Sequence, residues 1–300
     1  MEFISRVDQL ATELKNGISG SMGGVQQAMM KACHGVLTTK GAKISANILA
    51  ELRDLFVPRL TDATAETRYG AATCLGAIIH LLEPDNGASL VTDTLCGDES
   101  MSSWESKYTS AMGLAAFLDD DIAKPGEALL VPGDAISETV FRFIEALAKD
   151  DNGSVREAAC VAAGAQVLLH NKAFKAVALR GCKVLIRAAK DKSIDVRTAA
   201  CDAVKAVAKD QGEAFWTEGF PEVRKALLVA VTECAMERKN VRMRTAADRS
   251  MLYLLRLFEG NAHAMDAAKN LIGGMSSEMK AFFLKHWVKV QKTVSRDSEE

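Results

Sequence analysis

The chain has 300 residues, of which 48% are hydrophobic and 25% are charged, and its formal net charge is −2. This is the composition of an ordinary globular protein, and it excludes a collagen-like or low-complexity chain and a uniformly basic nucleic-acid binder. Aromatic residues make up only 6%, whereas alanine is abundant, which favours closely packed helices over a β-sandwich or barrel.

The charge is distributed unevenly along the chain. Residues 171–300 carry 24 Lys and Arg against 16 Asp and Glu, and residues 1–170 carry 13 against 23. Charges that fall unevenly on solvated faces explain such a distribution. A basic surface for a polyanion in the C-terminal half is the alternative, and the sequence leaves both open.

The seven cysteines form no CxxC motif, and their odd number does not suit a closed disulfide framework. We therefore expect reduced thiols in a cytosolic or nuclear protein. No apolar run approaches the ~18 residues of a membrane span. The first residues, Met1–Arg6, lack the basic region and apolar core of a signal peptide, so we predict a cytoplasmic protein with no membrane contact.

Apolar residues recur with helical periodicity along almost the whole chain, which predicts an all-α fold. Between Arg68 and Leu82, for example, they form one continuous stripe along a helix. The pattern predicts seven helix pairs, at residues 2–15 with 24–39, 42–57 with 64–83, 86–96 with 102–119, 133–149 with 153–170, 172–190 with 194–210, 220–237 with 241–259, and 262–273 with 276–292. We expect a single continuous array over residues 1–294 and a disordered tail over residues 295–300.

Three of these pairs share a motif at the turn between their two helices. An Asp lies six residues before an Arg, and an Ala lies three residues after it, in the sets Asp62, Arg68 and Ala71; Asp150, Arg156 and Ala159; and Asp191, Arg197 and Ala200. Lys107 and Arg244 mark two weaker copies. Successive cations are then 39, 49, 41 and 47 residues apart, a spacing typical of repeats built from two antiparallel helices.

This motif resembles the turn of HEAT repeats, and Val155–Arg156 and Val196–Arg197 match the Val-Arg pair of that family. The resemblance implies an α-solenoid of HEAT-like, armadillo-type hairpins, about seven pairs in all. It also implies a structural ladder between neighbouring repeats, which we assign to Asp62, Arg68, Asp150, Arg156, Asp191, Arg197 and Arg244. Arg244 is chosen over Arg242 because Ala247 lies three residues after it.

Two groups of cations outside the ladder are candidate contacts with a partner or with RNA. Lys172, Lys183, Arg187 and Lys190 fall near one face of the helix predicted at residues 172–190. Arg238, Lys239 and Arg242 surround the turn before Arg244, where the positive end of the helix dipole makes cations unfavourable. A solvated surface is the simpler interpretation of both groups, and binding of phosphate groups is the alternative.

The motifs of common catalytic and metal sites are missing from the sequence. There is no GxGxxG, P-loop or HExxH motif, and the five histidines do not pair at metal-binding spacing. The acidic run Asp119–Asp121 lacks the Gly and distal Glu of a calcium loop. Cys160 and Cys201, each four residues after its Arg, are interpreted as packed small residues. We therefore predict no enzyme activity, no cofactor, no metal and no small-molecule substrate.

The last third of the chain shows a more specific resemblance. The segments Lys239–Arg249, Ala267–Lys269 and Ile272–Gly274 resemble the C-terminal end of the large ribosome-associated Gcn-type translational activator of general amino-acid control. Ser102–Trp104 and Asp150–Arg156 also resemble that family. The chain departs from the family at Met279–Val294, which continues as a basic amphipathic helix, and the family protein is many times longer.

The resemblance implies a non-enzymatic scaffold that binds stalled or collided ribosomes. It also implies that the chain promotes activation of the kinase that phosphorylates translation initiation factor 2 alpha. The implied partners are proteins and the ribosome, with possible rRNA phosphate contacts through the basic C-terminal half. The alternative is a HEAT scaffold for another partner, of the transport-receptor, phosphatase-scaffold or cytoskeletal-adaptor type. An enzyme-like HEAT protein would need a reactive pocket that the sequence does not offer.

Overall fold

The computed structural model describes residues 2–39, 43–118, 134–169, 175–210, 221–237, 239–256, 272–273 and 275–285, and these ranges contain helices but no β-strand. The predicted all-α fold is confirmed. The helices are α1 (Glu2–Gly20), α2 (Gly23–Leu37), α3 (Ala46–Phe56), α4 (Ala65–Ile79), α5 (Pro84–Ser89), α6 (Trp104–Phe117), α7 (Ala135–Leu147), α8 (Gly153–Leu169), α9 (Lys175–Ala188), α10 (Ile194–Asp210), α11 (Pro221–Ala235) and α12 (Val241–Arg256). Residues 277–285 are also helical.

The helices α1 to α12 follow the first six predicted pairs, with shifts of a few residues at their ends. The first helix of the third pair is divided, because α5 passes into a π-helical turn at Leu90–Leu95. Turns of 3₁₀ helix follow α3, at Val57–Thr61, and precede α6, at Asp98–Met101. The acidic run Asp119–Asp121, the tail at residues 295–300 and most of the segment 262–273 lie outside the described residues.

The chain divides into two compact units, Met1–Ala165 and Gln166–Glu300. In the first unit, the first helices α1 and α3 pack together, and the second helices pack in the order α2, α4, α6. In the second unit, α9 packs on α11 and α10 packs on α12. Each unit thus has the side-by-side hairpins of a HEAT-type solenoid. One continuous array over residues 1–294 stays a prediction.

The second helices α4, α6, α8, α10 and α12 each begin after a residue that is able to cap them, whereas α2 begins after Met22. The capping positions hold Thr64, Ser103, Asn152, Ser193 and Asn240. In three cases the side-chain oxygen accepts a backbone N–H of the first turn: Ser103 from Ser106 at 3.1 Å, Asn152 from Ser154 at 2.8 Å, and Asn240 from Met243 at 2.8 Å. Such caps satisfy amide groups that a helix start otherwise leaves without partners.

Small residues let neighbouring second helices approach closely at two positions of each repeat. Three residues after the cation they are Ala71, Ser110, Ala159, Ala200 and Ala247; six residues after it they are Cys74, Gly113, Ala162, Ala203 and Ser250. The second position lies against the preceding helix: Cys74 Sγ donates to the carbonyl of Met30, and Ser250 Oγ donates to that of Cys201. A larger side chain there would separate the two helices.

A close approach of this kind joins α4 to α6 at Gly76. A Cβ atom built on Gly76 would lie 2.6 Å from the carbonyl oxygen of Gly113 and 2.7 Å from Cβ of Ala116. Because the first of these neighbours is backbone, it cannot move aside without shifting a helix. At the end of the same contact, the His80 ring stacks on Phe117 with centroids 4.9 Å apart, and its Nε2 bonds the Phe117 carbonyl.

We predict that Gly76→Ala lowers the free energy of unfolding by about 1–3 kcal/mol, because the added methyl group overpacks the α4–α6 contact. Gly35→Ala is the matched control, since a Cβ atom on Gly35 of α2 meets nothing within 4 Å. That change should leave stability unchanged or raise it by up to about 1 kcal/mol, through helix propensity. Chemical denaturation of both variants checks the prediction, and equal effects would contradict it.

Candidate functional site

The arginine of each turn motif bonds the backbone of its own turn. Nη1 of Arg156 donates to the carbonyl oxygens of Asp150 and Asp151, at 2.8 and 2.9 Å. The same pair of bonds recurs from Arg68 to Asp62 and Ala63, at 2.7 and 3.1 Å, and from Arg197 to Asp191 and Lys192, at 2.7 and 3.5 Å. The guanidinium thereby satisfies carbonyl groups beyond the end of the first helix.

The aspartate of the motif bonds its own turn in a complementary way. Its Oδ1 accepts the backbone N–H two residues later, at 2.8 Å in all three copies: Asp62 from Thr64, Asp150 from Asn152, and Asp191 from Ser193. The arginine and the aspartate are therefore joined through the aspartate's carbonyl group within one hairpin. A ladder of these groups between neighbouring hairpins stays a prediction.

The helix starts show which cation of the sixth pair occupies the equivalent position. Lys107 and the arginines at 68, 156 and 197 are each the fourth residue of a second helix, and their backbone N–H groups donate to the capping residue's carbonyl. Arg244 shares both features, because α12 begins at Val241 and the Arg244 N–H donates to Asn240 at 3.1 Å. Arg242 has neither. The role of Arg244 in a ladder remains a proposal.

The turn before α12 has a different construction from the other turns. The position six residues before Arg244 holds Arg238, which lies outside the described residues. The Glu237 carboxylate replaces that of the motif aspartate, because its Oε1 accepts the backbone N–H of Lys239, two residues later, at 3.0 Å. The Asn240 cap completes this turn. Since Glu237 and Asn240 accept the N–H groups of this turn, position 238 does not require an aspartate and can hold a cation.

An ion pair between neighbouring hairpins was not anticipated from the sequence. Lys107 Nζ, from the cation position of the third pair, lies 2.7 Å from Oδ2 of Asp150, the turn residue of the fourth pair. Burial alone would raise the pKa of Asp150, but the hydrogen bonds from Lys107 and from the Asn152 N–H, with the charges of Lys107 and Arg156, lower it below its ordinary value. In Asp62, the bonds from the Thr64 hydroxyl and N–H likewise lower the pKa of the carboxyl.

Most of the candidate contact cations lie at the surface of the second unit. Lys183 and Arg187 on α9 and Lys190, two residues after its end, are exposed, whereas Cys182 and Leu185 of α9 are buried. Lys190 Nζ lies 3.9 Å from Glu233 of α11, whereas no ion pair involves Lys183 or Arg187 within the part of the chain that the structure describes. Lys172 falls outside that part.

The second cation group is exposed around the start of α12. Lys239 and Arg242 are both exposed. The Arg242 guanidinium lies 4.0 Å from Asp195 of α10, and because both side chains are exposed, this ion pair contributes little to fixing the position of Arg242. Arg249 extends the group along the same helix and is also exposed. The sequence contains the signal for Arg249, because it lies seven residues after Arg242 and therefore on the same helical face.

The two cysteines interpreted as packing residues are buried, and Cys160 Sγ donates to the Arg156 carbonyl at 3.2 Å. Across the described ranges, no three His, Cys, Asp or Glu side chains come together in a way that could hold a metal ion. Among the helices described, none has both the length and the apolar character needed to cross a membrane.

Residues 8–300 match the family described as "Stalled ribosome sensor GCN1-like, HEAT repeats". Protein ILITYHIA of Arabidopsis thaliana is 23% identical over 283 residues, which cover 93% of this chain and 10% of that protein. The human stalled ribosome sensor GCN1 is 30% identical over 111 residues, which cover 37% of this chain and 4% of that protein. The chain thus spans a tenth or less of the length of these relatives.

Solved structures with a similar fold include the karyopherin Kap121p. Its complex with the extreme C-terminus of the phosphatase Cdc14p has a TM-score of 0.58 and 13% identity, covering 95% of this chain and 30% of that one. Its complex with RanGTP has the same score and identity, covering 99% of this chain and 31% of that one. At this identity the likeness shows the fold alone.

We predict that Arg156→Met lowers the free energy of unfolding by about 1–3 kcal/mol, because two turn carbonyls lose their donor while the apolar stem is retained. Arg142→Met is the matched control, since the Arg142 side chain is 76% exposed on α7. Its loss should change stability by less than about 0.5 kcal/mol. Urea unfolding of both variants tests this, and a neutral Arg156→Met would rule out the proposed role.

The lowered pKa of Asp150 predicts a specific acid sensitivity. A carboxyl with a lowered pKa stabilises the fold above its unfolded pKa of about 3.9, and this contribution is lost as the pH falls through the folded value. Asp150→Asn should therefore lower the free energy of unfolding at neutral pH. When the pH falls from about 5 to about 2, the stability of this variant should decrease less than that of the wild type.

Asp151→Asn is the control, because it removes an exposed carboxyl from the same turn. The asparagine at position 150 can still accept the Asn152 N–H, so the comparison isolates the pairing with Lys107. Melting temperatures measured across the pH range check the expectation. Parallel curves for wild type and Asp150→Asn would contradict it.

Proposed function

The chain belongs to the GCN1-like family of HEAT-repeat proteins, and we propose that it is a non-enzymatic scaffold that binds ribosomes. The family match over residues 8–300 carries this proposal. Protein partners follow from the fold, because a HEAT-type solenoid offers large side-by-side helix faces rather than an enclosed pocket. Promotion of the kinase that phosphorylates translation initiation factor 2 alpha is proposed on the same family membership.

The exposed cations of the second unit support a contact with rRNA phosphates. Lys183 and Arg187 on α9, and Lys239 and Arg242 at the start of α12, present positive charge to solvent. The ion pairs of Lys190 with Glu233 and of Arg242 with Asp195, at 3.9 and 4.0 Å, are exposed, so exchanging either carboxylate for a phosphate costs little. The net positive charge of residues 171–300 would also attract the ribosome over distances of about a Debye length.

The ribosome contact predicts a salt-dependent interaction that specific cations control. Lys183→Gln with Arg187→Gln should lower the fraction of protein that co-sediments with ribosomes, and should reduce the slope of log affinity against log salt by about 1.5–2. Both side chains are exposed, so the melting temperature should not change. Sedimentation over a salt series is the measurement.

Lys43→Gln with Lys149→Gln is the matched control, because it removes two exposed cations from the first unit. It changes the net charge by the same amount and should leave co-sedimentation close to that of the wild type. If both double variants lost the same fraction of co-sedimentation, the effect would come from net charge and not from the positions of Lys183 and Arg187. No binding of the wild-type protein at low salt would reject the ribosome proposal.

A further inference from the structure

A groove of about 630 Å³ runs across the second helices of the first unit. Its walls come from α2, α4 and α6 and include Lys31, His34, Glu66, Tyr69 and Tyr108. The volume lies within the range typical of binding pockets. The groove is open to solvent.

Aromatic residues are concentrated at this groove in a way that core packing does not explain. The protein has only three Tyr and three Trp, and two of those tyrosines line the groove. Tyr69 and Trp104 are each 45% exposed, and Trp104 lies one helical turn before Tyr108 on the same face of α6. Large exposed aromatic side chains that share a face indicate a binding surface.

The aromatic residues occur in a repeated pattern with carboxylates. Glu66 precedes Tyr69 by three residues on α4, and Glu105 precedes Tyr108 by three residues on α6, so the two residues of each pair share one helix face. Of the two carboxylates, that of Glu66 lines the groove. Burial raises the pKa of Tyr108, and the charges of Glu157 and Tyr69 raise it further. Glu157 of α8 therefore adds negative charge to the surroundings of Tyr108.

The nearby cations bond groups of the turns or lie on the α2 wall. Arg68 bonds the carbonyls of its own turn, and Lys107 pairs with Asp150, so both are engaged at the turn. Lys31 lies on the α2 wall, at the other side of the groove. Carboxylates around exposed rings repel phosphate groups and attract cations, and arginine both stacks on aromatic rings and bonds carboxylates in a bidentate manner.

We propose that this groove binds an extended segment of a partner protein that carries spaced arginines. Adjacent helices lie about 8–10 Å apart, and residues two to three apart along an extended chain are separated by about 7–10 Å. Two such arginines can therefore meet Tyr69 with Glu66 and the ring of Tyr108 at the same time. The groove is in the first unit and the ribosome contact is proposed for the second, so either proposal can fail alone.

The test uses a fluorescein-labelled Gly-Ser peptide with arginines at every third position and a matched peptide with glutamines, measured by fluorescence polarisation on the full chain. The arginine peptide should bind at least about tenfold more tightly than the glutamine peptide. Tyr69→Ala with Glu66→Gln should weaken its binding about fivefold to tenfold. Tyr69→Phe, which retains the ring, should bind like the wild type.

Asp202→Asn is the matched control, because it removes an exposed carboxylate from a second helix of the other unit, and it should not affect binding. If Tyr69→Ala lowers the melting temperature, Glu66→Gln alone decides, since that side chain is exposed; it should weaken binding about twofold to fivefold. Equal binding of the two peptides, or site variants that bind like the control, would overturn the proposal. Binding of poly(U) RNA that Tyr69→Ala abolishes would also overturn it, and would assign the groove to nucleic acid.

Discussion

The close approach of neighbouring second helices is the constraint on which the rest of this structure depends. At Gly76 the α4 backbone comes so near to α6 that a single methyl group would lie 2.6 Å from a carbonyl oxygen. At Ser250 and Cys74, a short polar side chain bonds the carbonyl of the preceding helix instead. Since helices this close fix each other's position, they also fix the faces on which Tyr69, Tyr108 and the exposed cations lie.

The turns between the two helices of each hairpin have a backbone that is fixed by hydrogen bonds. Arg156 and its equivalents hold the carbonyls of the turn, and the aspartates hold the following N–H groups. With its polar groups satisfied locally, a turn of this kind does not depend on the identity of its exposed residues. The turn before α12 shows this, because Glu237 and Asn240 replace the usual aspartate and the positions around them hold cations.

Sequence reasoning recovered the helix pairs and the turn register because both depend on strictly local spacing. The Ala three residues after each cation placed Arg244 in the same register as Arg156, and the start of α12 agrees with that choice. The second small position, occupied by Gly113 and Ser250, was missed since its residue types differ between repeats. These residues share only a small side-chain volume, and the reason for it, the close neighbouring helix, is not apparent from the sequence of one repeat.

Other features depend on contacts between repeats and therefore could not be inferred from one repeat at a time. The pairing of Lys107 with Asp150 joins residues 43 positions apart, and Lys107 had seemed only a weak copy of the motif. The groove combines residues from three helices, so Tyr69 and Tyr108 can be recognised as parts of one site only when α4 lies beside α6. The repeated Glu-x-x-Tyr spacing was present in the sequence, but nothing in it showed that both tyrosines face the same groove.

The self-contained turns also bear on how such chains can change length during evolution. When a hairpin is duplicated or deleted as a whole, the bonds that Asp191 accepts from Arg197 and from the Ser193 N–H are copied or lost together. The turn keeps the partners of these polar groups, so a new hairpin has to match its neighbours through the small residues of its second helix and through contacts such as the Lys107–Asp150 pair. Gene duplication can therefore add repeats with few compensating substitutions, and those substitutions should concentrate at the positions equivalent to Gly76 and Ser250.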